Sequence, residues 1–293
     1  MYAGRWLQVA LRRRDQPGSI RPRSSPSPAV SEASLDLLLR REPPLAWLTV
    51  NRPAAHNALN AAVWAALADT AEMLAGESEI RVVVIRGAGQ HAFISGADIS
   101  EFRRLRADAD ATAEYDRRSG RAWHALGAIP QPVIAMVNGL CFGGGVAVAL
   151  ACDLRVAADH ARFAVPATRL GLAYPLESIE RLVQVVGASA AADILLSARA
   201  LDAAEALRVG LVNRVIAAAD LESATRTYAL AMAEGAPLTL AAHKRAIRES
   251  LRCPAARDTE GLRDAMRRCF DSEDYQEGIA AFLEKRAPRF QGR

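Results

Sequence analysis

The chain has 293 residues, 51% of them apolar and 24% charged. This excludes a short peptide, a disordered acidic chain and a fibrous repeat, and leaves enough length to bury a sizeable core in one large domain or two smaller ones. Six arginines against the single acid Asp15 give residues 1–30 a charge of +5, so of the total of +4 residues 31–293 carry −1. The basic character is that of an N-terminal tail, and nucleic acid as the main partner loses its compositional support.

The tail, residues 1–32, is rich in arginine and serine, nearly free of acids, and closes on SIRPRSSPSPAV. Proline and serine at that density do not repay the entropy of ordering, so disorder is expected. An unstructured extension, a start codon upstream of the true one and an organelle transit peptide all fit the composition. Beyond it, Leu45–Asn51 and Ile80–Arg86 read as strands, with a helix over Asn60–Ala75 between them. Asn60 suits an N-cap, and Val63, Leu67 and Met73–Leu74 suit one buried stripe. Val133–Val137 is a third buried strand; Leu154–Ala157 and Phe163–Val165 are shorter ones, and Asn213–Ile216 is the last. Residues 221–293 read as amphipathic helices. The pattern predicts an α/β core over 33–220 and a helical segment over 221–293.

Two glycine-containing turns follow buried strands. One is His91–Glu101 (HAFISGADISE); the other is Asn138–Gly145 (NGLCFGGG), which opens an apolar helix. A strand that ends in glycines and opens a helix exposes backbone N–H groups at a positive helix end, where a phosphate or a developing oxyanion can be held. Neither turn has the GxGxxG or GK[ST] pattern of the common nucleotide-binding loops. The five histidines, at 56, 91, 124, 160 and 243, have no metal-ligand spacing, so no metal is expected. The four cysteines form no CxxC pair, which points to a reduced compartment. No apolar run reaches the ~20 residues of a membrane span.

Six segments in order resemble the crotonase family, the enoyl-CoA hydratase/isomerase superfamily: LTVNRPAAHNALN (48–60), AFISGADISEF (92–102), VNGLCFGGGVAVALACDLRVA (137–157), ARFAVPATRLGL (161–172), LDAAEALRVGLVNRV (201–215) and AFLEKRAPRF (281–290). The resemblance implies an α/β, crotonase-like spiral of ββα units with a C-terminal helical segment that serves oligomerisation and lids the CoA pocket. It further implies a homotrimer or dimer of trimers acting on an acyl-CoA thioester in the cytoplasm, or in the mitochondrial matrix if residues 1–30 are a transit peptide. No cofactor is implied beyond the CoA carried by the substrate, nor is a nucleic-acid or membrane partner.

The same resemblance assigns an oxyanion hole to the N–H groups of Ala97 and Gly144. It places the CoA thioester along Ala55, Ala58, Leu59, Ala97, Asp98, Ile99, Ser100 and Gly144, with Lys285 as either a contact to the CoA phosphates or a solvated lysine. Arg52 is either a further contact or a turn residue. The two glutamates with which hydratases of the family add water fall at Ala147 and Ala167, neither of which titrates. Tyr174 and Glu177 are the candidate proton donors. Tyr174 falls where the family's methylmalonyl-CoA decarboxylases carry a tyrosine, and Glu177 lies in a stretch where other members place a catalytic acid. Three readings stay open: a hydratase/isomerase-type lyase, a malonyl-type-CoA decarboxylase, and a binding protein without catalysis.

Overall fold

A computed structural model describes residues 36–293; the tail expected over 1–32 lies outside the described residues. Ten strands and ten helices follow one another among them. The strands are β1 (Leu37–Glu42), β2 (Leu45–Val50), β3 (Val82–Gly87), β4 (Ala92–Ile94), β5 (Val133–Val137), β6 (Leu140–Phe142), β7 (Leu154–Ala158), β8 (Arg162–Ala164), β9 (Leu201–Asp202) and β10 (Arg214–Ile216). They build a six-stranded sheet in the order β1-β2-β3-β5-β7-β10 and a four-stranded sheet in the order β4-β6-β8-β9. Successive pairs send their first strand to the large sheet and their second to the small one: β3 then β4, β5 then β6, β7 then β8. Within each sheet these strands run parallel, and β1 and β9 close the edges antiparallel.

The inner strands β2, β3 and β5 of the large sheet are buried on both faces, which is why they read as nearly unbroken apolar runs. Val83, Ile85, Val133, Ala135 and Val137 point into the main core, and the alternate Val82, Val84, Ile134 and Met136 into a second cluster with Trp47. The main core is covered by α1 (Ala61–Leu74), α3 (Ala109–Ala128) and α4 (Gly144–Ala151). The second cluster is covered by α7 (Leu221–Ala233) through Leu221, Ala229 and Ala233. A four-residue helix, α2 (Phe102–Leu105), links the first turn to α3. The others are α5 (Leu176–Ser197), α6 (Ala203–Arg208), α8 (Pro237–Ser250), α9 (Thr259–Phe270) and α10 (Glu273–Glu284). No strand follows β10 among the described residues.

The helix expected over Asn60–Ala75 forms as α1, with the Asn60 side chain accepting from Val63 N. Met73 leaves the expected stripe and is 44% exposed, because at 100° per residue it lies roughly 80° round the helix from Val63 while Leu74 returns to the buried side. Residues Trp64, Ala68 and Ala71 complete that side. The sequence reading did not anticipate β1, β4, β6, β9 or the 20-residue α3. The three short strands lack the length for a periodic signal, and α3 buries only Tyr115, Ala122 and Leu126 along a charged helix.

Candidate active site

The first turn is built by pairing it to the loop after β2. Arg52 N donates to Asn57 Oδ1, and the buried Asn57 amide donates to Ala88 O and Ala92 O at 3.0 and 2.7 Å. His56 and Asn57 accept left-handed φ values of 48° and 57° to make that reach. Leu59 then forms a parallel bridge with Ala97: Leu59 N donates to Gly96 O at 2.8 Å and Asp98 N to Leu59 O at 2.9 Å. In such a bridge the flanked residue turns its own N–H away, so Ala97 N–H has no partner among the described residues.

The second turn presents the other N–H. Gly143 N donates to Ala164 O at 2.8 Å and Ala147 N to Gly143 O at 3.1 Å, while Gly144, the first residue of α4, has no acceptor for its own N–H. Gly143 has φ 48° and ψ −112°, a conformation that favours glycine. Gly145 must also be glycine, because a Cβ there would lie 2.2 Å from Ile94 O. This close approach seats the start of α4 on β4 and brings the two turns together. A Cβ on Gly144 would be 3.4 Å from Ala97 N, and one on Gly96 would be 4.0 Å from Gly144 N. Two N–H groups without protein acceptors, one at a helix N-terminus, therefore lie close together.

The residues expected along the thioester are gathered here. Ser95 Oγ reaches Ala55 O at 3.5 Å, and Arg52 Nη1 donates to Ala58 O at 2.6 Å and pairs with Asp98 at 3.0 Å. Arg52 Nε also pairs with Asp36 at 3.3 Å, so its guanidinium binds the loop to the first turn. Asp98 accepts from the Ser100 hydroxyl and N–H, capping the turn Ile99–Glu101. The Ser100 hydroxyl and Arg52 hold its carboxyl below the usual carboxylate range. Ile99 and Ser100 are exposed. Lys285 is exposed at the left-handed C-cap of α10, and its ammonium has no partner among the described residues.

Ala147 is buried inside α4 and Ala167 is half-buried in the turn Pro166–Leu170, so the two glutamate positions of a hydratase offer only methyl groups. Tyr174 lies against the core, and its hydroxyl donates to Gly143 O at 3.0 Å. Burial pushes that phenol well above its ordinary pKa, so the hydroxyl stays protonated and is held as a hydrogen-bond donor. Glu177 is exposed in the first turn of α5, where the helix dipole favours an acid. Glu101 turns away from the turns to cap α1, accepting from Ala61 N at 2.8 Å. Burial pushes the Cys141 thiol up, which suits a packing residue.

Asp153 braces the core, accepting from Val133 N at 2.8 Å and from Lys244 at 2.6 Å. A cavity of about 450 Å³ opens elsewhere, between the C-terminal end of α3, α8 and α9, and none of its lining residues comes from the two turns. No group of three or more His, Cys, Asp or Glu able to hold a metal occurs among the described residues, and none of their helices is long and apolar enough to cross a membrane. The role of Arg52 as a clasp and the bond from Tyr174 to Gly143 escaped the sequence reading; both join residues far apart in the chain.

The family model for enoyl-CoA hydratase/isomerase matches residues 40–293. The short-chain-enoyl-CoA hydratase of Clostridium acetobutylicum is 32% identical over 86% of this chain and 95% of its own length. The 2,3-dehydroadipyl-CoA hydratase of Escherichia coli is 37% identical over 88% of this chain and 99% of its own length. Among solved structures, an enoyl-CoA hydratase/carnithine racemase from Magnetospirillum magneticum superposes with a TM-score of 0.85 at 38% identity, covering 89% of this chain and 97% of that one.

Proposed function

The chain belongs to the enoyl-CoA hydratase/isomerase family, and from that premise we propose that it stabilises a thioester enolate between the N–H groups of Ala97 and Gly144. The observation that carries this reading is the closeness of two N–H groups without protein acceptors, one of them at the start of a helix. A thioester carbonyl oxygen placed there gains charge as the α-carbon loses a substituent or the β-carbon is attacked. Each such donor stabilises that charge by about 3 kcal/mol. CoA lies along Ala55, Ala58, Leu59, Asp98, Ile99 and Ser100, with Lys285 near its phosphates.

With Ala147 and Ala167 in place of carboxylates, the water activation of an ordinary hydratase has no base at either position. The enolate's proton comes from Tyr174 or Glu177 in this reading. The same two alanines, together with the phenol beside Gly143, favour a second reading as a malonyl-type-CoA decarboxylase. There the bond from the α-carbon to the carboxylate breaks, carbon dioxide leaves, its electron pair becomes the enolate, and one proton returns to the α-carbon. Neither step calls for a metal or a cofactor beyond substrate CoA.

The helices at the C-terminus expose Met266, Phe270, Tyr275, Ile279, Phe282 and Leu283, apolar area that supports assembly as a homotrimer or dimer of trimers. The named relatives are bacterial proteins, which supports a cytoplasmic enzyme; an organelle matrix is the alternative if residues 1–30 direct the chain there.

The test offers the purified protein crotonyl-CoA, followed by loss of the conjugated-thioester absorbance, and methylmalonyl-CoA, followed by release of carbon dioxide. Turnover of crotonyl-CoA supports the lyase reading, and decarboxylation without it supports the second. Saturable binding of both with turnover of neither would leave a binding protein and overturn catalysis. Turnover that survives both Tyr174→Phe and Glu177→Gln would refute the two proton donors.

A further inference from the structure

The carbonyl of Gly143 and the N–H of Gly144 are the two ends of one peptide group. Tyr174 Oη donates to that carbonyl at 3.0 Å, from 31 residues along the chain. We infer that Tyr174 is a positioning residue for the oxyanion hole, holding and polarising the peptide whose N–H meets the substrate oxygen; the inference rests on the reading of Gly144 proposed above.

Three observations carry it. First, the plane of this peptide is set by ψ of Gly143, which stands at −112° in a residue without a Cβ to restrict it. A bond from outside the turn is therefore what limits its rotation, together with the helix bond from Ala147 N to the same oxygen at 3.1 Å. Second, a hydrogen bond accepted at a carbonyl strengthens the donor at the other end of the same amide, by about 10–30% per bond. The second donor has the same arrangement: the carbonyl of the Gly96–Ala97 peptide accepts Leu59 N–H at 2.8 Å. A backbone group supports Ala97 and a side chain supports Gly144.

Third, the phenol is well placed to keep this bond. Its ring packs on the core, its neighbour Pro175 fixes the start of α5, and buried Ser178 lies beside the hydroxyl. The raised pKa keeps the hydroxyl protonated and donating across the working range. A tyrosine engaged in this way acts through the peptide; it need not give up its proton.

The experiment binds butyryl-CoA, isotopically labelled at its carbonyl, to the full-length protein and reads the carbonyl stretch by difference infrared spectroscopy. The parent should shift the band to lower frequency, and Gly144→Pro should lose most of that shift. Tyr174→Phe should fall between the two, with butyryl-CoA affinity within about twofold of the parent. A full parental shift in Tyr174→Phe would overturn the inference and leave the hole intact. Lost butyryl-CoA binding in that variant would also overturn it, because the ring would then act on the ligand or on the fold. No shift in the parent would instead overturn the oxyanion reading beneath it.

Discussion

Replacing Arg52 with methionine tests whether the first half of the site is held by its clasp. The guanidinium binds Ala58 O at 2.6 Å and Asp98 at 3.0 Å, and the two side chains of the pair are 19% and 16% exposed. At that separation an effective dielectric of about 20 gives roughly 5 kcal/mol of attraction before desolvation. Exposed pairs net about 0–1 kcal/mol and fully buried ones cost about 3–5 kcal/mol to break, so this intermediate pair should be worth about 2 kcal/mol. In a chain of this length that lowers Tm by on the order of 5 °C. The assay is a double-mutant cycle of Arg52→Met and Asp98→Asn, read by urea unfolding; asparagine keeps the oxygen that caps Ser100. The coupling should be about 2 kcal/mol, and a value below about 0.5 kcal/mol would refute the clasp. Asp98 adds a signature in pH. Its folded pKa is depressed, so its stabilisation is present above the unfolded value of about 3.9 and is lost as pH falls through the folded one. The loss of stability on acidification should therefore be shallower in Arg52→Met than in the parent.

Two further outcomes follow from the same geometry. Gly144→Pro removes an N–H that no protein group accepts, at a first helical position that tolerates proline, so the fold should survive by circular dichroism while turnover drops about a hundredfold; turnover within threefold of the parent would contradict the hole. At the C-terminus, Arg286 and the N–H of Arg289 hold the Glu277 carboxyl at about 2, so its contribution is complete above about 4.3 and lost as pH falls towards 2. Scanning calorimetry should show Glu277→Gln losing less of its Tm than the parent between those two pH values, and equal losses would sink the assignment.

Much of the fold was legible because its parallel strands are buried on both sides. Val82–Ile85 and Val133–Val137 alternate between two separate cores, yet every position is apolar, so the strands announce themselves without any knowledge of what covers them. The same cannot be said of α3. It buries Tyr115, Ala122 and Leu126, spaced over twelve positions among mostly polar or small residues, and its helicity depends on packing that the local pattern does not carry. Edge strands β1 and β9 owe their state to a partner strand, and two residues such as Leu201–Asp202 hold no period to read.

At the site the division follows a different rule. Backbone donors leave a trace in sequence because the backbone shapes that expose them demand glycine: Gly143 for its φ of 48° and Gly145 for the carbonyl 2.2 Å from where its Cβ would be. An N–H has no residue type of its own, but the constraint around it does. Proton transfer leaves no such trace once Ala147 and Ala167 replace the carboxylates, since any hydroxyl or acid brought within reach by the fold can serve. Which one does depends on the side chain's direction across distant segments. Tyr174 shows the consequence: its identity and neighbourhood are visible in sequence, but that its hydroxyl meets Gly143 O follows only from how α5 leaves the turn after Leu170. Arg52 behaves likewise, a turn residue by sequence and a clasp by geometry, 46 residues from the Asp98 it holds. Backbone donors and the side chains that could move a proton are thus written in different parts of the molecule, the first in the glycines that shape the turns and the second in the packing of distant segments.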